Sequence, residues 1–367
     1  MRTLTTLLGW GWGLAAVLSP APARAQVDTV RASTLPGRQV AEKAYNAGRA
    51  FFTAQNYPAA LASFDQAVTT KADFAPAYAN RAATQLALRN YPAAVADYDQ
   101  ALKLEPGAFA SYYGRGQAQE AAGQAPAAEA DYGAALQANA AYAPAWYHRG
   151  VLRFEKGEYQ AAHDDFDGAV KADPAYAFAY HDRASTSLRL GNYPAAVADY
   201  SRALELQPTL LPALLNRAAA ERHANQLPEA LRDYDAYLAQ KTDNPLAFTN
   251  RGNARFENKD YAGAVADFDR AIALDPKYTY AWNNRAAAEL KLKHYAKANA
   301  DATEALRLAP RYAEAYLNRG HAREMLRQAD DACQDWRQAA ALGLRAGNSY
   351  AAAAGCAGEA AEDGADK

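Results

Sequence analysis

The feature that most constrains this chain is a repeat of fixed length. The segment YPAALASFDQAV recurs as YPAAVADYDQAL, YQAAHDDFDGAV, YPAAVADYSRAL and YAGAVADFDRAI. Aligned on the alanine three residues after the leading tyrosine, the copies fall at Ala60, Ala94, Ala128, Ala162, Ala196, Ala230, Ala264, Ala298 and Ala332, every step 34 residues. Nine units therefore tile 306 of the 367 residues without a gap: 41–74, 75–108, 109–142, 143–176, 177–210, 211–244, 245–278, 279–312 and 313–346. A repeat of this size is one supersecondary unit that buries its apolar face only against its neighbours. Length alone suggests two or three domains, and the repeat overrules that expectation.

Within a unit the pattern is that of a helical hairpin. Position 8 is always small (Gly48, Ala82, Gly116, Gly150, Ala184, Ala218, Gly252, Ala286, Gly320), and position 20 is always alanine. A small residue on each of two antiparallel helices lets their backbones approach closely. Position 24 is bulky in eight of nine units (Phe64, Tyr98, Tyr132, Phe166, Tyr200, Tyr234, Phe268, Trp336), and position 27 is alanine in eight. The spacing 20, 24, 27 is one face of an α-helix. Pro58, Pro92, Pro126, Pro194 and Pro228 at position 18 suit the first turn of a second helix. Pro106, Pro174, Pro208, Pro276 and Pro310 at position 32 stop it. No proline falls inside a predicted helix, where it would cost about 3 kcal/mol.

These residues resemble the tetratricopeptide repeat. Unit four carries the family's signature almost complete, as Trp146, Gly150, Tyr159, Ala162, Phe166, Ala169 and Pro174. The resemblance implies an all-α fold, a right-handed α-solenoid of nine hairpins whose first helices line a concave groove. The Ala-rich segment 347–357 is expected to cap the last hairpin, because a terminal repeat exposes an apolar face. Residues 26–40 read as a flexible lead-in and 358–367, rich in Gly and acid, as a disordered tail. Two units depart from the pattern. Unit six has Tyr237 in place of alanine and Thr242 in place of proline, so its junction with unit seven is expected to bend or open differently. Unit eight has Ala302 at the aromatic position, which predicts a thin core or one filled by Trp336 of the next unit.

The most regular charged feature is Arg at position 7 with Asp at position 23. The pairs are Arg81 with Asp97, Arg115 with Asp131, Arg149 with Asp165, Arg183 with Asp199, Arg217 with Asp233, Arg251 with Asp267, Arg285 with Asp301 and Arg319 with Asp335. Unit one lacks both members, carrying Ala47 and Ser63, which predicts structural ion pairs within a unit rather than between units. A planar guanidinium can grip a carboxylate with two parallel hydrogen bonds.

Position 6 is asparagine in six units: Asn46, Asn80, Asn216, Asn250, Asn284 and Asn318. By resemblance this position faces the groove, where a side-chain amide can both donate to and accept from an extended peptide backbone. A solvated polar face or helix capping explains the row equally well. Tyr113, Tyr147, His148, Phe154 and His181 are candidates for an aromatic patch in the middle of the groove. The family's carboxylate clamp needs basic residues at positions 2 and 5, and none of the eighteen is Lys or Arg.

Cys333 and Cys356 lie 23 residues apart and suggest a disulfide tying the cap to the array, with two buried free thiols as the alternative. No His/Cys cluster supports a metal site. Residues 1–25 have one early basic residue, an apolar stretch from Leu4 to Leu18 and the ending Ala23-Arg24-Ala25. This is the plan of a cleavable secretory signal peptide, predicting export to a periplasm or beyond and a mature start at Gln26. About 15 apolar residues are too few to span a bilayer, so no stable membrane insertion is expected. The net charge is −2, or −4 without the leader's Arg2 and Arg24, which does not suit a nucleic-acid binder. No Gly-rich phosphate loop, HExxH, GxSxG or CxxC motif occurs. The reading is an exported, non-catalytic scaffold or adaptor, without cofactor, holding a protein or extended peptide in its groove. A structural spacer or self-associating envelope component is the alternative, and an unrecognised enzyme a distant third.

Overall fold

The computed structural model describes residues 35–356, and within them the chain is helical throughout, with no strand. The leader 1–25, residues 26–34 of the lead-in and the tail 358–367 lie outside the described residues. Nineteen helices follow one another: α1 (Leu35–Thr53), α2 (Tyr57–Thr70), α3 (Ala75–Ala87), α4 (Tyr91–Leu104), α5 (Phe109–Ala121), α6 (Ala125–Ala138), α7 (Ala143–Glu155), α8 (Tyr159–Ala172), α9 (Ala177–Arg189), α10 (Tyr193–Leu206), α11 (Leu211–His223), α12 (Leu227–Leu238), α13 (Pro245–Glu257), α14 (Tyr261–Leu274), α15 (Thr279–Lys291), α16 (Tyr295–Leu308), α17 (Ala313–Met325), α18 (Ala329–Ala341) and α19 (Ala346–Ala353). Helix α1 begins at Leu35, so the last six residues of the expected lead-in are helical, with Arg38 paired to Glu42 at 2.9 Å.

The chain divides into two compact bodies, the first ending at Gly191 and the second starting at Asn192. The division falls in the turn of the fifth repeat, which gives α9 to the first body and α10 to the second. Within each body the helices pack pairwise in chain order. Each body is a stack of helical hairpins, an α-solenoid.

The hairpin turn has a backbone signature. Position 15 adopts positive φ in every unit: Gln55, Arg89, Gly123, Gly157, Gly191, Asn225, Lys259, Lys293 and Arg327, between 58° and 81°. The bonds that close it repeat too, as in Gln55 N–H to Phe52 O and Asn56 N–H to Phe51 O, both 2.9 Å. This left-handed residue satisfies the last carbonyls of the first helix. Three units use glycine, which adopts positive φ without a Cβ penalty, and six do not. Pro at the first turn of the next helix then starts it without wasting a donor.

The core follows the sequence pattern. The position-20 alanines are solvent-inaccessible or nearly so, and the largest fully buried side chains are the position-24 rings. Position 8 explains its own smallness: a Cβ on Gly252 would stand 2.6 Å from the Phe268 ring, and one on Gly48 2.6 Å from Phe64. Glycine at position 8 accompanies Phe64, Tyr132, Phe166, Phe268 and Trp336, whereas alanine accompanies Tyr98, Tyr200, Tyr234 or Ala302.

At the unit-six junction α12 stops two residues early, and the Tyr237 hydroxyl accepts a hydrogen bond from Asn244 Nδ2 at 2.8 Å. Asn244 in turn caps α13 by accepting from the Leu246 and Ala247 amides. The departure from consensus makes a pinned junction there. Trp336 packs against His321 and Tyr350. Its backbone carbonyl abuts Gly347 of α19, where any Cβ would collide. Cys333 and Cys356 are joined by a disulfide, Cα–Cα 5.6 Å, fastening α19 to α18. Closing a loop of this length contributes about 3 kcal/mol on the chain-entropy account.

Candidate interaction surface

The position-7 arginines form a two-sided ladder. Arg81 donates through Nε and Nη2 to both oxygens of Asp97, at 2.7 and 2.6 Å, and through Nη1 to Asp65 of the preceding repeat at 2.8 Å. Arg115 does the same with Asp131 and Asp99, Arg251 with Asp267 and Asp235, and Arg285 with Asp301 and Asp269. Arg217 grips Asp233 and reaches Ser201, and Arg319 grips Asp335. Arg183 bonds Asp167 at 2.7 Å, while Asp199 lies in the other body. Pairing within units is therefore accompanied by pairing between them, through an acidic row at position 25 that sequence reasoning missed. Six of the position-23 carboxylates are buried and two, Asp199 and Asp233, half-buried; Asp165, Asp267 and Asp335 each take a second arginine at position 11 (Arg153, Arg255, Arg323). In seven of the eight units the guanidinium also lies over the aromatic ring at position 4 of its own helix, as Arg149 does over Trp146 at 4.9 Å, and only Arg217 has Leu214 there instead.

The position-6 row is largely spoken for inside the protein. Asn80 Nδ2 donates to the Tyr45 hydroxyl at 2.8 Å, and Asn318 Nδ2 to Asn283 Oδ1 at 2.9 Å. Both bonds run from position 6 to position 5 of the repeat before, and Tyr147 to Asp182, 2.8 Å, follows the same register. Asn284 donates to Asn253 at 2.8 Å. Asn216 sits half-buried on α11. Asn46 is exposed and Asn250 half-buried, and neither side chain makes a hydrogen bond among the described residues. At unit three the row is broken by Gly114 because Tyr98 occupies the space a side chain would need.

Of the five aromatic candidates, the structure gathers three. His148 lies edge-on to Tyr113 and Tyr147, centroids 5.6 and 5.7 Å apart. Its Nδ1 is 3.3 Å from Glu120, which also accepts from the Tyr132 hydroxyl. Phe154 packs instead on Tyr159 across the hairpin turn. His181 is buried, 7 % exposed, with Nδ1 2.7 Å from Asp182, so it does not offer a groove surface. Burial holds the Tyr113, Tyr132 and Tyr147 hydroxyls well above the ordinary phenol range. Tyr132 and Tyr147 remain protonated donors, as their bonds to Glu120 and Asp182 require, while the Tyr113 hydroxyl accepts from Gln117 Nε2 at 3.0 Å.

Models of the tetratricopeptide repeat match residues 80–144, 120–177, 177–210 and 245–278. The chain is a tetratricopeptide-repeat protein. Among solved structures, the APC/C hetero-tetramer Cut9–Hcn1 is 14% identical over 86% of this chain and 76% of that one, with a TM-score of 0.52. Yeast Tom70 is 15% identical, covering 86% and 96% of the two chains at 0.44. A tetratricopeptide repeat protein from Parabacteroides merdae is 18% identical, covering 68% and 98% at 0.47. At 14% identity the likeness to Cut9–Hcn1 is one of fold. No curated protein matches the chain in sequence.

Within the tetratricopeptide array, two exposed aromatics escaped the sequence reading. Phe178 and Tyr280 stand at position 2 of their units and are 45 % and 39 % exposed. Each lies one helical turn before the position-6 polar residue, Asp182 and Asn284. Prolines at Pro76, Pro144 and Pro212 hide any pattern at position 2. Among the described residues no group of His, Cys, Asp and Glu could hold a metal, and no helix is long and apolar enough to cross a membrane.

One buried acid in the tetratricopeptide array gives a pH prediction. Burial, with Asp233 and Glu229 adding to it against Arg217 and Arg232, lifts the Glu221 carboxyl to about 7. Its Oε2 is buried without a hydrogen bond, and Arg217 Nε is 3.8 Å from Oε1. A folded-state value above the unfolded one means that ionised Glu221 costs stability. The cost is full above pH 7 and fades as pH falls toward 4.5. Glu221→Gln is expected to stabilise by about 1–2 kcal/mol at alkaline pH, the gain shrinking in acid. Melting curves near pH 8 and pH 5 check this, and an equal gain at both would contradict it.

Proposed function

We propose that the protein is an exported, non-catalytic scaffold that holds a protein or extended peptide against the faces of its first helices. Tetratricopeptide repeats are protein-interaction modules. The observations that carry the finer reading are exposed Phe178 and the open amide of Asn46 in the first body, and exposed Tyr280 and the open amide of Asn250 in the second. Exposed aromatics set among hydrogen-bonding groups are what interfaces are made of. Export rests on the leader pattern of residues 1–25.

The test is a crosslinking capture from the envelope fraction of the exporting host. The intact protein is compared with a Phe178→Ala/Asn250→Ala/Tyr280→Ala variant, whose fold should survive because the two aromatics are exposed and Asn250 is unbonded. The intact protein should begin at Gln26 and retain a partner that the variant loses. Partners kept by both would put the interface elsewhere and favour the spacer reading.

A further inference from the structure

In five repeats the Nη1 of the position-7 arginine is held by the position-25 carboxylate of the repeat before: Asp65 on Arg81, Asp99 on Arg115, Asp167 on Arg183, Asp235 on Arg251 and Asp269 on Arg285, at 2.5–2.8 Å. Unit three has Gly133 at that position. Arg149 grips Asp165 through Nε and Nη2, and among the described residues its Nη1 donates to nothing. The missing side chain opens a cavity between α6 and α7, lined by Glu129, Gly133, Arg149, Arg153 and Lys156 together with Pro126 and Ala130. A Cβ built on Gly133 would meet only Arg149 Nη1, at 3.6 Å.

The charges around the cavity do not cancel. Glu129 binds Arg153 Nε at 2.9 Å and also Lys156, and Asp165 takes Arg149 and, at 3.0 Å, Arg153 Nη1. Three cations face two carboxylates, and Arg149 Nη1 is the donor left over. The same register in the second body supplies the comparison. There the cavity beside Arg285 contains Asp269, and the arginine is satisfied from within the chain.

We propose that the Gly133 cavity is a binding site for a carboxylate side chain of a partner, an acidic segment whose Asp or Glu takes the place that position-25 aspartates fill elsewhere. The guest oxygen accepts from Arg149 Nη1, with Lys156 and Arg153 adding attraction. The site lies at the joint between a second helix and the next first helix, and it does not depend on Phe178, Asn250 or Tyr280. A failure of the groove reading leaves it standing, and the reverse holds too.

The test is fluorescence anisotropy of a labelled, C-terminally amidated Asp/Glu-rich peptide against the full chain, beside its Asn/Gln isostere. The acidic peptide should bind, more weakly as salt rises, and the isostere should not. Gly133→Asp supplies the carboxylate internally. It should weaken the acidic peptide at least about tenfold while raising Tm by about 1–3 °C, since it adds a cross-repeat ion pair and removes a mid-helix glycine. The Tm gain shows that the variant folds with its ladder completed. Peptide affinity within about twofold of the parent in Gly133→Asp, or no binding by the parent at millimolar peptide, would overturn the proposal.

Discussion

Replacing Asp267 by alanine is expected to cost about 3 kcal/mol or more and to melt the seventh hairpin early. Asp267 is 2 % exposed and receives Arg251 at 2.5 Å and Arg255 at 3.0 Å. Burial raises its pKa even beside two guanidinium groups, so putting the pair in the interior costs much of what the attraction returns. Removing one half is different, because the desolvation already borne by Arg251 and Arg255 loses its compensation. Arg251 would keep Asp235 at 2.7 Å, and Asp235 is exposed. Asp235→Ala is accordingly the control, expected to cost no more than about 1 kcal/mol. Hydrogen exchange across α13 and α14, with urea denaturation of the whole chain, measures both. Equal effects of the two substitutions would show that burial of the position-23 carboxylate is not what matters.

The second large effect is steric. Gly252→Val places a Cβ about 2.6 Å from the Phe268 ring and two further methyls beside it. Phe268 is fully buried against Ala264 and Ala288 and has nowhere to move. Overpacking of this kind costs about 1–3 kcal/mol, and more where a ring is pinned. Gly252→Val combined with Phe268→Ala should recover part of the loss, because the ring that is struck is gone. Denaturant midpoints for the two single variants and the double variant give the coupling directly. Strict additivity would mean that the two positions do not meet as described.

The hairpins were legible because their determinants repeat at a fixed step: small at 8 and alanine at 20 in every unit, and a ring at 24 in all but the eighth. The within-unit ion pairs were legible for the same reason. The second hand of each arginine was not, because position 25 runs Asp, Asp, Gly, Asp, Ser, Asp, Asp, Thr, Arg from the first unit to the last. A guanidinium has donors to spare after one carboxylate, and nothing in the pairing of 7 with 23 announces where they go. The turn at position 15 was hidden because Arg89, Lys259, Lys293 and Arg327 adopt a conformation usually signalled by glycine. The asparagine row was legible as a row but not as a set of cross-repeat bonds. Whether Asn80 meets a ligand or Tyr45 depends on a distance set by how hairpins stack. His181 failed as a surface candidate for a similar reason. Its neighbour Asp182 draws both His181 and Tyr147 inward.

The two-handed arginine also bears on how such a gene can change. Arg81 meets Asp65 and Arg115 meets Asp99 across the same 16-residue offset. Deleting residues 75–108 would bring Asp65 opposite Arg115 at that offset, and the joint would be remade from existing parts. Duplicating a unit would extend the row without a new side chain being invented. Loss or gain of whole 34-residue blocks leaves the seams intact, whereas a frame of 33 or 35 breaks every seam it creates. Recombination can therefore alter the length of this protein in steps of one hairpin, and point mutation alone must then redraw what each hairpin shows to its surroundings.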